Sequence, residues 1–223
     1  MIPLRSTERV SSPAIATGCL IAINTLVFLY QVTLPSADLN QLIATWGLVP
    51  DERPFHFASL LTSMFLHAGW LHLIGNMLYL WVFGRNLEDL IGRAQFVAFY
   101  LTCGVIAGVV HIIFNAYSNL PTIGASGAIA GVMGGFLIRF PRARISTLVI
   151  FIVFFTTMDL PAYLLLLFWF AMQFLSGFES LGDHNYYEGG TAYFAHIGGF
   201  LAGMLLIRFF PARQRFRAWY EES

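Results

Sequence analysis

Apolar residues in this chain come in runs rather than in an alternating or one-sided rhythm. Six runs stand out, at about residues 13–34, 61–84, 94–116, 126–139, 160–177 and 192–208. A helix apolar on every face has no side to give to water, and about 20 such residues cross a bilayer core of about 30 Å. The pattern therefore predicts six membrane helices. A polar, tryptophan-bearing stretch from Pro35 to about Ser59 separates the first two. One further run, Ile145–Thr157 (ISTLVIFIVFFTT), is too short to cross as a helix. Asp159 and Pro161 divide it from the fifth run. It reads as an embedded connection that enters and returns, or as an extension of a neighbouring span.

Composition supports lipid as the solvent. Of 223 residues, 57% are hydrophobic and 11% charged, against about 25% charged in soluble domains. Mean hydropathy is +0.69. The expected fold is all-α: a polytopic membrane protein, a compact six-helix bundle, with 1–223 as a single domain. Zero formal net charge excludes a strongly basic nucleic-acid binder, so no nucleic-acid partner is expected. Cys19 and Cys103 lie in apolar runs and read as small core residues. The charges of MIPLRSTERVSSP precede an apolar run too long for the core of a signal peptide, and no A-x-A cleavage site follows it, so that run is expected to stay as the first span.

The 12 basic residues are all arginine, and their positions orient the bundle. With six spans and the N-terminus inside, Arg5, Arg9, Arg85, Arg93, Arg139, Arg142, Arg144, Arg208, Arg213, Arg215 and Arg217 are cytoplasmic, and only Arg53 is outside. That sorting is what the positive-inside rule requires, and it puts both termini in the cytoplasm.

Ionisable and polar side chains at membrane depth are costly and point to function. His67, His72, Asn76, His111, Ser126 and His196 carry this signal. Ser126 precedes Arg139 by 13 residues, His196 precedes Arg208 by 12, His72 precedes Arg85 by 13 and Asn76 precedes it by 9. At about 1.5 Å per residue, all four lie about 13–20 Å above the cytoplasmic boundary, in one layer roughly 10 Å below the outer face. Gly127, Gly131 and Gly134 form a bare stripe on the fourth span, and Ala195, Gly199 and Gly203 another on the sixth. Such stripes let membrane helices approach backbone to backbone. Parallel packing of these spans would bring Ser126 beside His196.

A hydroxyl becomes a nucleophile when a neighbouring imidazole takes its proton. Ser126 also begins a helix, where free N–H groups and the positive dipole end suit an oxyanion. His72 and Asn76, four apart on one helix face, add two more donors. His67, five before His72, would point about 140° away on the same helix and reads as a structural hydrogen-bonding group, and His111 reads as structural. No acid has a spacing that places it behind His196, so a Ser–His dyad is favoured over a triad. Metal hydrolysis would want an H-E-x-x-H type pattern, which is absent, so neither metal nor cofactor is expected. A small transporter would show an inverted repeat or midplane charges, and neither is visible.

These residues resemble the rhomboid intramembrane serine proteases of the six-span prokaryotic kind. HAGWLHLIGN holds the H-x-x-x-x-H-x-x-x-N pattern as His67, His72 and Asn76. GASG is the G-x-S-G motif, with Gly124, Ser126 and Gly127. AHIGGFLAG holds A-H-x-x-G-x-x-x-G, with Ala195, His196, Gly199 and Gly203. The resemblance implies Ser126 as nucleophile and His196 as general base. It implies an oxyanion site from His72, Asn76 and the Ser126 backbone N–H, shaped by Gly124. It further implies single-span membrane proteins as substrates, often cut at small residues, and a bacterial or archaeal cell membrane as the location. Span five and the loop at about 178–191 would form a gate and cap. Two departures are visible: Ala130 stands where several relatives place an aromatic residue, and Trp46 is followed by Gly47 where some have arginine. The alternative reading is an inactive rhomboid-like protein that binds membrane helices without cutting them.

Overall fold

The computed structural model describes residues 2–151, 154–180 and 192–213. A strand β1 (Ile2–Ser6) precedes helix α1 (Ile15–Thr33). Helices α2 (Ser36–Trp46) and α3 (Ser59–Thr62) follow in the first connection. The second span is α4 (Trp70–Tyr79), a wider π turn at Leu80–Gly84, and α5 (Arg85–Ile91). Then come α6 (Arg93–Phe114), α7 (Ser126–Arg139), strands β2 (Arg144–Phe151) and β3 (Phe154–Pro161), α8 (Ala162–Ser180) and α9 (Tyr193–Leu206). The mostly helical membrane architecture read from the sequence is the one found. Helices α1, α6 and α8 are each long and apolar enough to cross a membrane, while α7 and α9 are shorter and equally apolar.

The bundle is built around α7, which is buried from Gly127 through Leu137. Its bare stripe explains this. A Cβ on Gly199 would overlap the carbonyl of Gly127, one on Gly203 that of Gly131, and one on Gly134 that of Phe200. Helices α7 and α9 therefore touch main chain to main chain. Helix α6 closes the other side, where a Cβ on Gly127 would sit 2.7 Å from that of Ala107. Peripheral α8 buries only Ala162, Leu165, Leu166 and Gly177 among its described side chains.

The arginine-bearing ends collect at one end of the molecule. Arg139 Nη2 donates to the carbonyls of Ile207 and Phe210, each at 2.8 Å, and the Arg213 amide donates to Leu90 O at 2.9 Å. Here the second span departs from the expected 61–84. It starts at Trp70 and continues to Ile91, because its polar tail has partners. Glu88 accepts from the amides of Ala16 (2.9 Å) and Thr17 (2.8 Å) and from the Thr17 hydroxyl (2.7 Å), holding the start of α1. Asp89 accepts from the amides of Ser11 and Ser12 at 2.9 and 3.0 Å. Carboxylates at a helix N-terminus satisfy donors that have no intrahelical acceptor.

The run Ile145–Thr157 is not an extension of a neighbouring helix; it goes out and comes back as a pair of strands. Its described residues lie in β2 and β3, which pair antiparallel from Arg144↔Pro161 to Phe151↔Phe154. Strand β1 adds to the other edge of β2, from Ile2↔Leu148 to Ser6↔Ile145. The run is rich in β-branched and aromatic residues, and pairing satisfies its backbone groups without a helix. Asp159 accepts from Ser146 Oγ at 2.5 Å within this sheet, in keeping with its exclusion as a partner of His196.

Candidate active site

Ser126 is the first residue of α7 and His196 lies in the first turn of α9. The glycine contacts hold these helices close enough that His196 Nε2 lies 2.8 Å from Ser126 Oγ. His196 is buried, so that hydrogen bond is largely shielded from bulk water. The N–H groups of the first turn of α7 have no acceptor within their own helix.

The segment before Ser126 shapes the opposite wall. Gly124 has φ +127°, a region that side chains disfavour, and its N–H donates to Ser63 O at 2.9 Å. A Cβ there would also lie 2.7 Å from His72 Nε2 and 3.7 Å from Asn76 Nδ2. His72 Nδ1 accepts from the Ala68 amide at 3.4 Å, which leaves Nε2 to carry the proton toward Gly124. Asn76 Nδ2 is buried with no hydrogen-bond partner among the described residues. A buried, unspent donor is expensive unless a ligand completes it. A cavity of about 30 Å³ adjoins Ser126, lined in part by Ser63, Met64, Gly104, Thr122 and Gly127.

A family model described as the rhomboid domain matches residues 54–213. The chain belongs to the rhomboid family. It is 33% identical over 140 residues to the presenilin-associated rhomboid-like protein, mitochondrial, of Rattus norvegicus, covering 61% of this chain and 36% of that one. Against Rhomboid protein 1, mitochondrial, of Saccharomyces cerevisiae it is 32% identical over 131 residues, 56% of this chain and 37% of the relative. Against the rhomboid protease GluP of Bacillus subtilis it is 40% identical over 78 residues, 35% and 15% of the two chains. The chain thus spans little more than a third of the length of the mitochondrial relatives and less of the bacterial one. It is a multi-pass membrane protein, and its relatives include both mitochondrial proteins and a bacterial one.

Within this rhomboid, several residues differ from the sequence expectation. His67 does not point away from His72. Residues 66–69 are not helical, so the 140° offset does not apply, and the two rings meet edge to face with centroids 5.1 Å apart. The non-helical entry is held by Gln31 on α1, whose amide donates to His67 O at 3.1 Å and accepts from His67 N at 3.0 Å. His111 has the structural part expected of it: its Nε2 pairs with Thr122 Oγ1 at 2.8 Å, tying α6 to the segment before Ser126. Gly47 has no room for a side chain, since a Cβ would lie 2.5 Å from the carbonyl oxygen of Ile43. Trp46 instead packs on His56, with ring centroids 5.4 Å apart. Ala130 leaves no aromatic ring on α7 for His196. Trp169 of α8 lies beside the imidazole in its place, with centroids 5.7 Å apart. Gln31 and Gln173 are neutral amides, so the cost of charge at membrane depth does not single them out in the sequence. A lone amide in an apolar run was the available signal. The expected cap at about 178–191 falls mostly outside the described residues.

Proposed function

We propose that this rhomboid is an intramembrane serine endopeptidase that cuts single-span membrane proteins with a Ser126–His196 dyad. The observation that carries this is the 2.8 Å approach of His196 Nε2 to Ser126 Oγ at membrane depth. His196 Nε2 takes the hydroxyl proton as Oγ attacks the scissile carbonyl carbon. The resulting oxyanion accepts from His72 Nε2–H, Asn76 Nδ2–H and the backbone N–H of Ser126. Collapse of the tetrahedral species breaks the C–N bond, and His196 returns its proton to the departing amine. Water, activated by the same imidazole, then hydrolyses the acyl-enzyme and frees Ser126. The cavity beside Ser126 suits a small side chain next to the cut. Gly127, Gly199 and Gly203 support the dyad by setting the spacing of its helices, and His67 by packing on His72.

The same reading places the chain in a bacterial or archaeal cell membrane with both termini cytoplasmic. That puts the site near the outer face, where water can reach it. The decisive experiment is labelling of the detergent-solubilised chain with a fluorophosphonate. Wild type is expected to label and Ser126→Ala is not. Equal labelling of the two would show that Ser126 is not the nucleophile, and no labelling of either would favour the inactive helix-binding alternative.

A further inference from the structure

His196 is hydrogen-bonded at both ring nitrogens. Nε2 faces Ser126, and Nδ1 lies 2.7 Å from Oε1 of Gln173, on α8. We propose that Gln173 is the positioning residue of the dyad. Its amide oxygen accepts the Nδ1–H of His196 and holds the ring in the tautomer whose Nε2 is free to receive the Ser126 proton. This deepens the protease reading above and rests on it.

A neutral imidazole carries one proton, on either nitrogen. With the proton on Nε2, His196 could donate to Ser126 but could not act as its base. An acceptor at Nδ1 selects the productive tautomer, and a carbonyl oxygen can only accept. The reversed amide would offer an N–H and select the wrong one. When Ser126 gives up its proton the ring becomes a cation. The amide dipole then stabilises that charge without placing a permanent carboxylate at membrane depth, which would be costly.

The packing of α8 shows why this side chain faces the ring. Every residue from Ala162 to Leu175 other than Gln173 is apolar or aromatic, and Leu164, Leu167, Phe168, Met172 and Leu175 are exposed to the lipid side. An amide facing lipid without a hydrogen-bond partner would be costly. Trp169, Gln173 and Gly177 recur at four-residue steps and form the face turned to α9. Gly177 permits the approach, since a Cβ there would stand 3.2 Å from Tyr193 Cβ. Trp169 lies beside the imidazole and Gln173 meets its free edge, so both groups that orient the ring come from this one peripheral helix.

The test compares Gln173→Met, close in shape without the acceptor, with Gln173→Glu, which keeps one. The full chain is assayed for its fluorophosphonate labelling rate at Ser126 and for kcat and KM on a single-span substrate. Gln173→Met is expected to lower both the labelling rate and kcat by about ten- to a hundredfold with KM little changed, while Gln173→Glu stays within about fivefold of wild type. Nitrogen NMR of histidine-labelled protein should show the His196 proton on Nδ1 in the wild type and shared between both nitrogens in Gln173→Met. Wild-type labelling and an unchanged tautomer in Gln173→Met would overturn the proposal, even if substrate cleavage fell. Equal losses in both variants with a lowered melting temperature would also overturn it in favour of packing. A wild-type chain that does not label at all overturns the dyad itself, a separate result from one that labels but is indifferent to residue 173.

Discussion

Several polar side chains at membrane depth tie one element to another, while both ring nitrogens of His67 are buried without a hydrogen-bond partner among the described residues. Gln31 pins the backbone of His67, His111 pins Thr122, and Gln173 meets His196. Asn76 Nδ2 alone among the groups facing Gly124 is buried without an acceptor, which is the state expected of a donor reserved for an oxyanion. Asn76→Ala should therefore lower kcat by about a hundred- to a thousandfold while leaving the thermal unfolding of the detergent-solubilised chain near wild type. An unchanged kcat would remove Asn76 from the site. At this scale the sequence was informative wherever a motif or a depth count applied. Ser126, His196, His72 and Asn76 could each be placed by counting residues to the nearest arginine. Gln173 could not, because its partner is on another helix and no spacing along the chain connects them.

Among the elements, the contact between α7 and α9 decides whether the dyad exists. It depends on missing side chains: Gly127 against Gly199 and Gly131 against Gly203. Gly203→Ala should destabilise the chain by about 1–3 kcal/mol and reduce labelling of Ser126, since a Cβ must push the Gly131 backbone away. Gly75→Ala is the matched control. Nothing lies within 4 Å of a Cβ there, so it should be neutral or slightly stabilising. Equal melting temperatures for the two variants would show that the stripe does not set the spacing. The stripe was legible because small residues at helical steps are a local pattern. The sheet was not. A short apolar run fits a buried helix or a strand equally well. What turns residues 144–161 into strands is a pairing that includes β1, at the other end of the chain.

Taken as a whole, the molecule separates two ends. The arginines of the helix termini, the sheet and the Glu88 and Asp89 clasps on residues 11–17 gather at one end. Ser126, His196, His72 and Asn76 lie toward the other. A reporter fused to the C-terminus should consequently be cytoplasmic in a bacterial host, and a periplasmic signal would reverse the proposed orientation.

By itself the sequence determined the solvent, the helical class and the sorting of charge. These follow from local quantities: how long each apolar run is and where arginine falls between runs. It also determined which helices could touch, because a stripe of small residues is written on each helix separately. The tertiary structure alone decided that the second span starts late and runs on to Ile91, that His67 meets His72, that residues 144–161 pair as strands, and that Gln173 holds the far side of His196. Each of these depends on a contact between residues far apart in the chain. At membrane depth an unpaired polar or backbone group is expensive, so such contacts override local propensity.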